Sequence, residues 1–341
     1  MNSSCLPKFG VSFDCDRIDA ESRYSMSKNA IVLAAGKGTR MKSEMSKLLH
    51  PIIDRPMLAY VLDALDQAGI DRAVIIDGYQ AEQVEKAFPD REFALQEPQL
   101  GTGHAVMQAQ SLKDEDGYTL VTNGDVPCIQ PQTLIRLFEE ADGTALTLMS
   151  CIFEDGAHYG RILRNENGEF EAIREARDCT EEEKKVNEIN AGIYCFNNRD
   201  LFDSLGELTS SNAQNEYYLT DLVEILKRKG KTVKAVPIED PDELQGINDP
   251  LELHQAYTWM KNRINRDWMK KGVQIVDPDR TVIGRDVVIG HDVIIHPNTE
   301  LLGKTVVSDY AEILPGSYLK DAEVQEGEVV GPNTVRTSGM K

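Results

Sequence analysis

The sequence predicts an α/β domain with a mostly parallel sheet, followed by a linking helix and then a short left-handed hexapeptide β-helix. Three observations carry this reading. Up to about residue 250, short apolar runs alternate with amphipathic stretches, the pattern of βαβ units whose helices cover both faces of a sheet. A single helical period then takes over. Beyond residue 272 apolar residues recur every six positions, a period that suits neither a helix nor an antiparallel strand.

Residues 1–28 carry little periodic hydrophobicity and contain a second methionine, Met26, so a poorly ordered leader or an early start codon is expected there. From Asn29 the runs AIVLAA, AVIID, EFALQ and YTLVT read as strands, with MLAYVLDALDQAG, AEQVEKAF and HAVMQAQ as the helices between them. Gly69 follows one helical run. Pro131 opens another, where its fixed φ and missing N–H cost nothing. TALTLMSCIF, NAGIYCF and TVKAVPI complete a domain over residues 29–250.

LELHQAYTWMKNRINRDWMKKG reads as a linking helix, residues 251–271, with Leu253, Tyr257, Met260 and Ile264 on one face. In residues 272–335 the six-residue period is held by Ile283, Ile289, Ile295, Leu301, Val307, Ile313 and Leu319. With three sides to a coil, these repeats predict little more than two coils, few for a solenoid whose ends need caps. Packing against the linking helix or against copies of the chain is therefore expected, and residues 336–341 are read as a tail.

The 37 basic and 57 acidic side chains leave a formal net charge of -20, which repels nucleic acid and anionic membranes over most of the exterior. Any phosphate must sit in a local basic pocket. Cys5, Cys15, Cys128, Cys151, Cys179 and Cys195 lack the short paired spacings of a zinc site or redox motif and read as buried or idle thiols. No apolar run approaches the roughly 20 residues needed to cross a bilayer, and no signal peptide is evident. A soluble cytoplasmic protein is expected.

The strongest local signal is LAAGKGTRMKSEMSKLLH, Leu33 to His50, directly after the first strand. Its glycines let the backbone approach a ligand so that consecutive N–H groups surround a phosphate chain, and Arg40 and Lys47 add mobile positive charge. A dinucleotide fingerprint fails because Met41 stands at the third glycine, and a Walker loop fails because no G-K-[ST] occurs. A plain surface turn remains the alternative, against which stands so basic a loop in so acidic a chain.

L-A-A-G-x-G-T-R-M followed by a lysine resembles the signature of the sugar-phosphate nucleotidyltransferases. The fuller run to K-L-L-H resembles the uridylyltransferase half of the bacterial bifunctional N-acetylglucosamine 1-phosphate enzyme. LQEPQLGTGHA, NGDVP, HYGRI, EINAGIYCF, NEYYLTD and GINDPLEL are similar to that family's blocks, in its order. The resemblance implies a Rossmann-like domain binding UTP, a sugar 1-phosphate and Mg2+. It implies a nucleotide site of Leu33, Ala34, Ala35, Gly36, Lys47, Gln96, Gly101, Thr102, Asn123, Gly124 and Asp125, with Arg40 and Lys47 catalytic. It further implies a sugar site of Gly160, Glu175 and Asn190, metal ligands Asp125 and Asn248, and a homo-oligomer, a trimer favoured, through the β-helix.

Several of these residues also have plain readings. G-D-x-P and Asn-Asp-Pro are ordinary turn sequences, Thr102 could cap a helix, and Glu175 would pass for a solvated surface residue. His50, His104, His158, His291 and His296 form no metal or nucleophile constellation and are read as structural. Ser46 stands where the family commonly has proline, Asn123 where it often has an aromatic residue, and no counterpart of the acetyltransferase site's histidine and lysine blocks is found, so no acetyl transfer is expected. Another sugar 1-phosphate such as glucose 1-phosphate, or a catalytically silent nucleotide-sugar-binding subunit, are the alternatives. Arg40, Lys47, Asp125 and Asn248 together speak against the silent subunit.

Overall fold

The computed structural model describes residues 26–153 and 159–338. Strand β1 (Lys28–Leu33) runs through the middle of the main sheet and leads into the glycine loop. A two-residue hairpin follows, β2 (Pro51–Ile52) and β3 (Arg55–Pro56), then α1 (Met57–Gln67) and β4 (Arg72–Asp77). Next come α2 (Ala81–Ala87), β5 (Glu92–Leu95), α3 (Thr102–Met107), β6 (Tyr118–Asn123), α4 (Pro131–Ala141) and β7 (Leu146–Ile152). The strands β8 (Arg161–Arg164), β9 (Phe170–Arg174) and β10 (Glu188–Asn197) precede α5 (Asn198–Leu205), α6 (Leu222–Arg228) and β11 (Val233–Pro237). The long helix α7 (Pro250–Lys270) closes this part of the chain.

The sheet order is β11-β7-β10-β6-β1-β4-β5, with β8 and β9 joined at the β10 side. β1 pairs in parallel with both β4 and β6, whereas β10 runs antiparallel to its neighbours. Along β1, Ala30 and Val32 face one core and Ile31 the other, as the two-residue repeat of a strand covered on both sides requires. The helices α1, α4 and α7 cover the first face, and α3, α5 and α6 the second. The predicted strands and helices of this domain all occur; β2, β3, β8, β9, α5 and α6 were not predicted.

The helix α7 is capped by Asp249, which accepts from the N–H groups of Leu251 and Glu252, with Pro250 in its first turn. Met260 and Ile264 are buried on its apolar face, and Leu253 and Tyr257 pack beside them. Asn265, fully buried, donates to the carbonyls of Pro278 and Thr281 and so ties α7 to the C-terminal part.

That part holds eleven short strands in three parallel sheets, two of four strands and one of three. β12 (Gln274–Ile275), β15 (Ile294–Ile295), β18 (Glu312–Ile313) and β21 (Val329–Val330) form one side. β13 (Thr281–Ile283), β16 (Thr299–Leu302), β19 (Tyr318–Lys320) and β22 (Val335–Thr337) form the second, and β14 (Val288–Ile289), β17 (Val306–Val307) and β20 (Glu323–Val324) the third. All seven apolar residues of the six-residue period are buried.

The expectation of little more than two coils was too low, because the period is not strict at its ends. A 3₁₀ turn, Pro278–Arg280, is inserted before β13. After Leu319 one corner is a residue shorter, turned by Asp321 at φ +50, so Val306 pairs with Glu323 and the buried residues become Val324 and Val330. The core between these sheets is continuous with that under α1 and α7, which supplies the packing a short solenoid needs.

Cys128, Cys151, Cys179 and Cys195 are free and buried, and burial pushes the Cys151 thiol up to about 12, which makes it a poor nucleophile. Among the described residues no helix is long and apolar enough to cross a membrane.

Candidate active site

The site forms at the carboxyl ends of β1 and β6, the edge where open α/β sheets bind ligands. Leu33, Ala34, Ala35, Gly36, Lys47, Gln96, Gly101, Thr102, Asn123 and Asp125 line one cleft of about 270 Å³. Gly124 lies beneath it, its N–H donating to the Leu33 carbonyl at 2.9 Å and joining the two strand ends.

Lys47 opens a 3₁₀ turn, Lys47–Leu49, and the loop from Gly36 must cross it closely. Gly38 makes the crossing feasible: it adopts φ +56, and a Cβ there would lie 2.8 Å from Lys47 Cβ. The Ser46 N–H, which a proline would lack, donates to Gln83 Oε1 at 2.9 Å and pins the segment to α2. The Lys47 ammonium then donates to Asp125 Oδ2 at 2.5 Å and to Asn248 Oδ1 at 2.9 Å. Both charged side chains are largely shielded from solvent, 12% and 21% exposed, so the pair keeps much of its Coulombic strength.

Asn248 is 123 residues beyond Asp125 yet reaches it because the Ile247 N–H donates to the Asp125 carbonyl at 2.9 Å. The turn reading of Asn-Asp-Pro also holds, since Asp249 caps α7. Arg40 stands apart. It is exposed on the 3₁₀ turn Thr39–Met41 and does not line the cleft.

Gln96 is 4% exposed, its amide donating to the Gly101 carbonyl at 2.9 Å, with His104 Nδ1 3.2 Å away. Thr102 does not cap α3. It is the first residue of that helix, and its hydroxyl accepts from the Leu219 N–H at 3.1 Å, tying the loop to the segment before α6.

Gly160, Glu175 and Asn190 come together beside this cleft but do not line it. The Asn190 N–H donates to the Gly160 carbonyl at 2.8 Å, and a Cβ on Gly160 would lie 3.6 Å from Glu175 Oε2. Asn190 Nδ2 donates to the Tyr194 hydroxyl at 2.6 Å. Glu175 is no solvated surface residue: burial raises its pKa, while the Thr220 hydroxyl donates to it at 2.9 Å and opposes that rise. It lines a second cleft of about 400 Å³ with Tyr218, Thr220 and Asp221. The two regions meet where Asn123 Nδ2 lies 2.9 Å from the position of a Cβ on Gly192, which has φ +71.

Gln99 and Glu216 also line the first cleft and were not foreseen. They lie inside QEPQLGTG and NEYYLTD, so the blocks marked the segments, but neither residue has a spacing that would single it out. His158 falls outside the described residues, and among these no group of three or more histidine, cysteine or acidic residues could hold a metal ion.

A glycine loop, a largely shielded lysine and an Asp–Asn pair at the carboxyl edge of a mixed sheet define a nucleotidyltransferase domain. The family profile described as MobA-like NTP transferase domain matches residues 30–218, more than half of the chain, and the chain belongs to that family. Its similarity to individual proteins extends beyond the domain. It is 43% identical over 317 residues to the bifunctional protein GlmU of Limosilactobacillus reuteri (strain DSM 20016), covering 92% of this chain and 70% of that protein. Over 319 residues it is 44% identical to the bifunctional protein GlmU of Latilactobacillus sakei subsp. sakei (strain 23K), covering 92% and 69%. At 92% of the chain these matches reach well past the domain, and the chain is a GlmU-like sugar-phosphate nucleotidyltransferase.

Proposed function

We propose that this chain transfers a uridylyl group from UTP to N-acetylglucosamine 1-phosphate, releasing pyrophosphate. One observation carries the reading: Lys47, Asp125 and Asn248, remote in sequence, meet at one point of the cleft that the glycine loop lines. Both reactants are anionic, so the barrier a protein can lower is charge repulsion and misalignment, which calls for cations and positioning more than for acid–base catalysis. In this reading the backbone of Leu33, Ala34, Ala35 and Gly36 cradles the phosphates. Lys47 neutralises them, and Arg40, exposed and free of the cleft wall, closes over the triphosphate. Gln96, Gly101 and Thr102 face the base, and Gly160, Glu175 and Asn190 take the sugar.

The donor set suits Mg2+. Asp125 and Asn248 already turn two oxygens toward one cation, the Lys47 ammonium, and a site with so few protein oxygens fits an ion that keeps waters and binds largely through substrate phosphates. When bound there, the ion would neutralise phosphate charge and make the α-phosphorus easier to attack. Acetyl transfer is not part of the proposal.

We extend the proposal to a cytoplasmic homo-oligomer, a trimer favoured, joined through the β-helix; the exposed Val288 and Val306 on its three-stranded side favour self-association. The test is magnesium-dependent pyrophosphate release across a matrix of nucleoside triphosphates and sugar 1-phosphates. Release peaking with UTP and N-acetylglucosamine 1-phosphate is expected. A peak with glucose 1-phosphate would move the assignment to another sugar, and binding without release would leave a silent subunit.

A further inference from the structure

The hairpin that follows Lys47 contains a contact the reaction itself does not require. Its two-residue turn is Ile53–Asp54, and Ile53 sits at φ +59, a conformation that a β-branched residue rarely adopts and that such turns ordinarily give to glycine or asparagine. The turn is held from outside. Asp54 Oδ2 accepts from the Gly303 N–H at 2.6 Å, a contact between residues 249 apart, at a corner of the β-helix. Gly284, at a second corner, lies so close that a Cβ there would be 2.7 Å from the same oxygen. Arg55 adds a contact to Asp286 at 3.2 Å while donating to Asp63 of α1 at 2.6 Å.

The 3₁₀ turn that begins with Lys47 leads directly into the hairpin. The His50 N–H donates to the Lys47 carbonyl and the Met57 N–H to the His50 carbonyl at 3.0 Å, so the lysine turn and the hairpin strands form one hydrogen-bonded segment. Asp54, which meets the β-helix surface, stands only seven positions beyond the cation Lys47. Strain in a turn persists where surrounding structure over-determines it, and here the surrounding structure is the solenoid.

We infer that Asp54 is a positioning residue: by binding the β-helix corner at Gly303 it fixes the hairpin and through it the reach of Lys47 to Asp125, so that the β-helix is a working brace of the transfer site. This rests on the proposed function for its kinetic consequence, but its structural core does not.

Two variants of the full chain break the brace from opposite sides. Asp54→Ala removes the acceptor, and Gly284→Ala keeps Asp54 but places a methyl group against it. Amide hydrogen–deuterium exchange is expected to quicken in both variants at residues 47–57, including Leu49 and His50, with β6 and β10 unchanged. Under the proposed assay kcat is expected to fall on the order of tenfold, as a sub-ångström misplacement of a catalytic group implies, with KM for the sugar phosphate little changed. Asp54→Asn, whose amide oxygen can still accept from Gly303, is expected to restore both readouts. Faster exchange confined to the turn itself, with Leu49 and His50 and kcat as in the parent, would overturn the inference. So would loss of activity that Asp54→Asn fails to restore. A parent chain inactive toward every substrate pair would refute the proposed function instead, and the exchange data would still decide the brace. Should Asp54→Ala not fold, Gly284→Ala supplies the same readouts.

Discussion

Gly38→Ala separates what the glycine loop does for folding from what it does for Lys47. Gly38 lies at φ +56, where an L-residue costs roughly 1–2 kcal/mol, so stability is expected to fall by about that much. The new methyl also meets Lys47 Cβ, on the stem of the side chain, at 2.8 Å. Ordinary contact begins at 3.4 Å, so the loop or the lysine must yield by about half an ångström, which a packed site transmits. Since a 1 Å misplacement can cost about 100-fold, a loss on the order of tenfold in kcat/KM is expected, equivalent to about 1.4 kcal/mol of transition-state binding. Gly36→Ala is the control: nothing lies within 4 Å of its added carbon and its φ is not left-handed, so melting temperature is expected to hold. Gly36 nevertheless lines the cleft, and a methyl on a phosphate path is expected to lower kcat/KM without unfolding anything. Calorimetric melting beside pyrophosphate-release kinetics gives both quantities. If Gly38→Ala loses stability but keeps full kcat/KM, the loop does not set Lys47; if Gly36→Ala is fully active, the phosphates do not pass there.

Asp125→Ala is expected to cut turnover by at least about 100-fold while the fold survives, because it deletes an electrostatic group at the reacting centre; stopped pyrophosphate assays and circular dichroism check both halves. Lys47→Ala is expected to cost more in kcat than Arg40→Ala, since Lys47 sits in the cleft and Arg40 outside it, and equal losses would show that Arg40 is drawn fully into the site. Asp77, 1% exposed at the end of β4, has its pKa pushed up to about 6, first by burial and then by the like charge of Glu85. A raised carboxyl pKa makes the folded state the better proton binder, so stability is gained as pH falls from about 6 toward 4 and is lost as pH rises through about 6. Asp77→Asn is therefore expected to stabilise the chain by on the order of 3 kcal/mol at pH 7–8 and by little below pH 4, read as the difference between variant and parent melting curves. Asn265→Ala deletes two hydrogen bonds from α7 to the β-helix and removes the side-chain donor from the buried Thr281 carbonyl; a loss of about 2 kcal/mol is expected in denaturant titrations.

Much of the fold was legible because local chemistry and global placement agree. AIVLAA can be nothing but a strand buried on both faces, and Pro131 begins its helix where the pattern put it. The elements that escaped notice have weak local signals. RILR and FEAIR pair with each other and each exposes part of its length, and NRDLFDSL has only three large apolar residues to mark a helix. The coil count failed for a related reason: a strict period counts only sides of equal length, and the chain alters two corners while keeping the core residues inward. The candidate site shows the same division. The glycine loop, Lys47 and Asp125 lie in short segments whose chemistry is readable in place, and the structure gathers them with Asn248. Glu175 looked solvated in its charged surroundings, because burial is set by Thr220 and neighbours 45 residues away.

Asp54 and Gly303 were illegible for the strongest reason. Neither belongs to a pattern, since an aspartate in a turn and a glycine at a corner are each what those positions ordinarily hold. Their meaning exists only in the pair, across 249 residues, where a carboxylate meets a backbone N–H beside a strained isoleucine. Periodicity reports how a segment satisfies itself and motifs report how a segment meets a ligand. A contact that joins two finished elements has no local requirement to betray it, so a brace of this kind becomes visible only when both elements are in place.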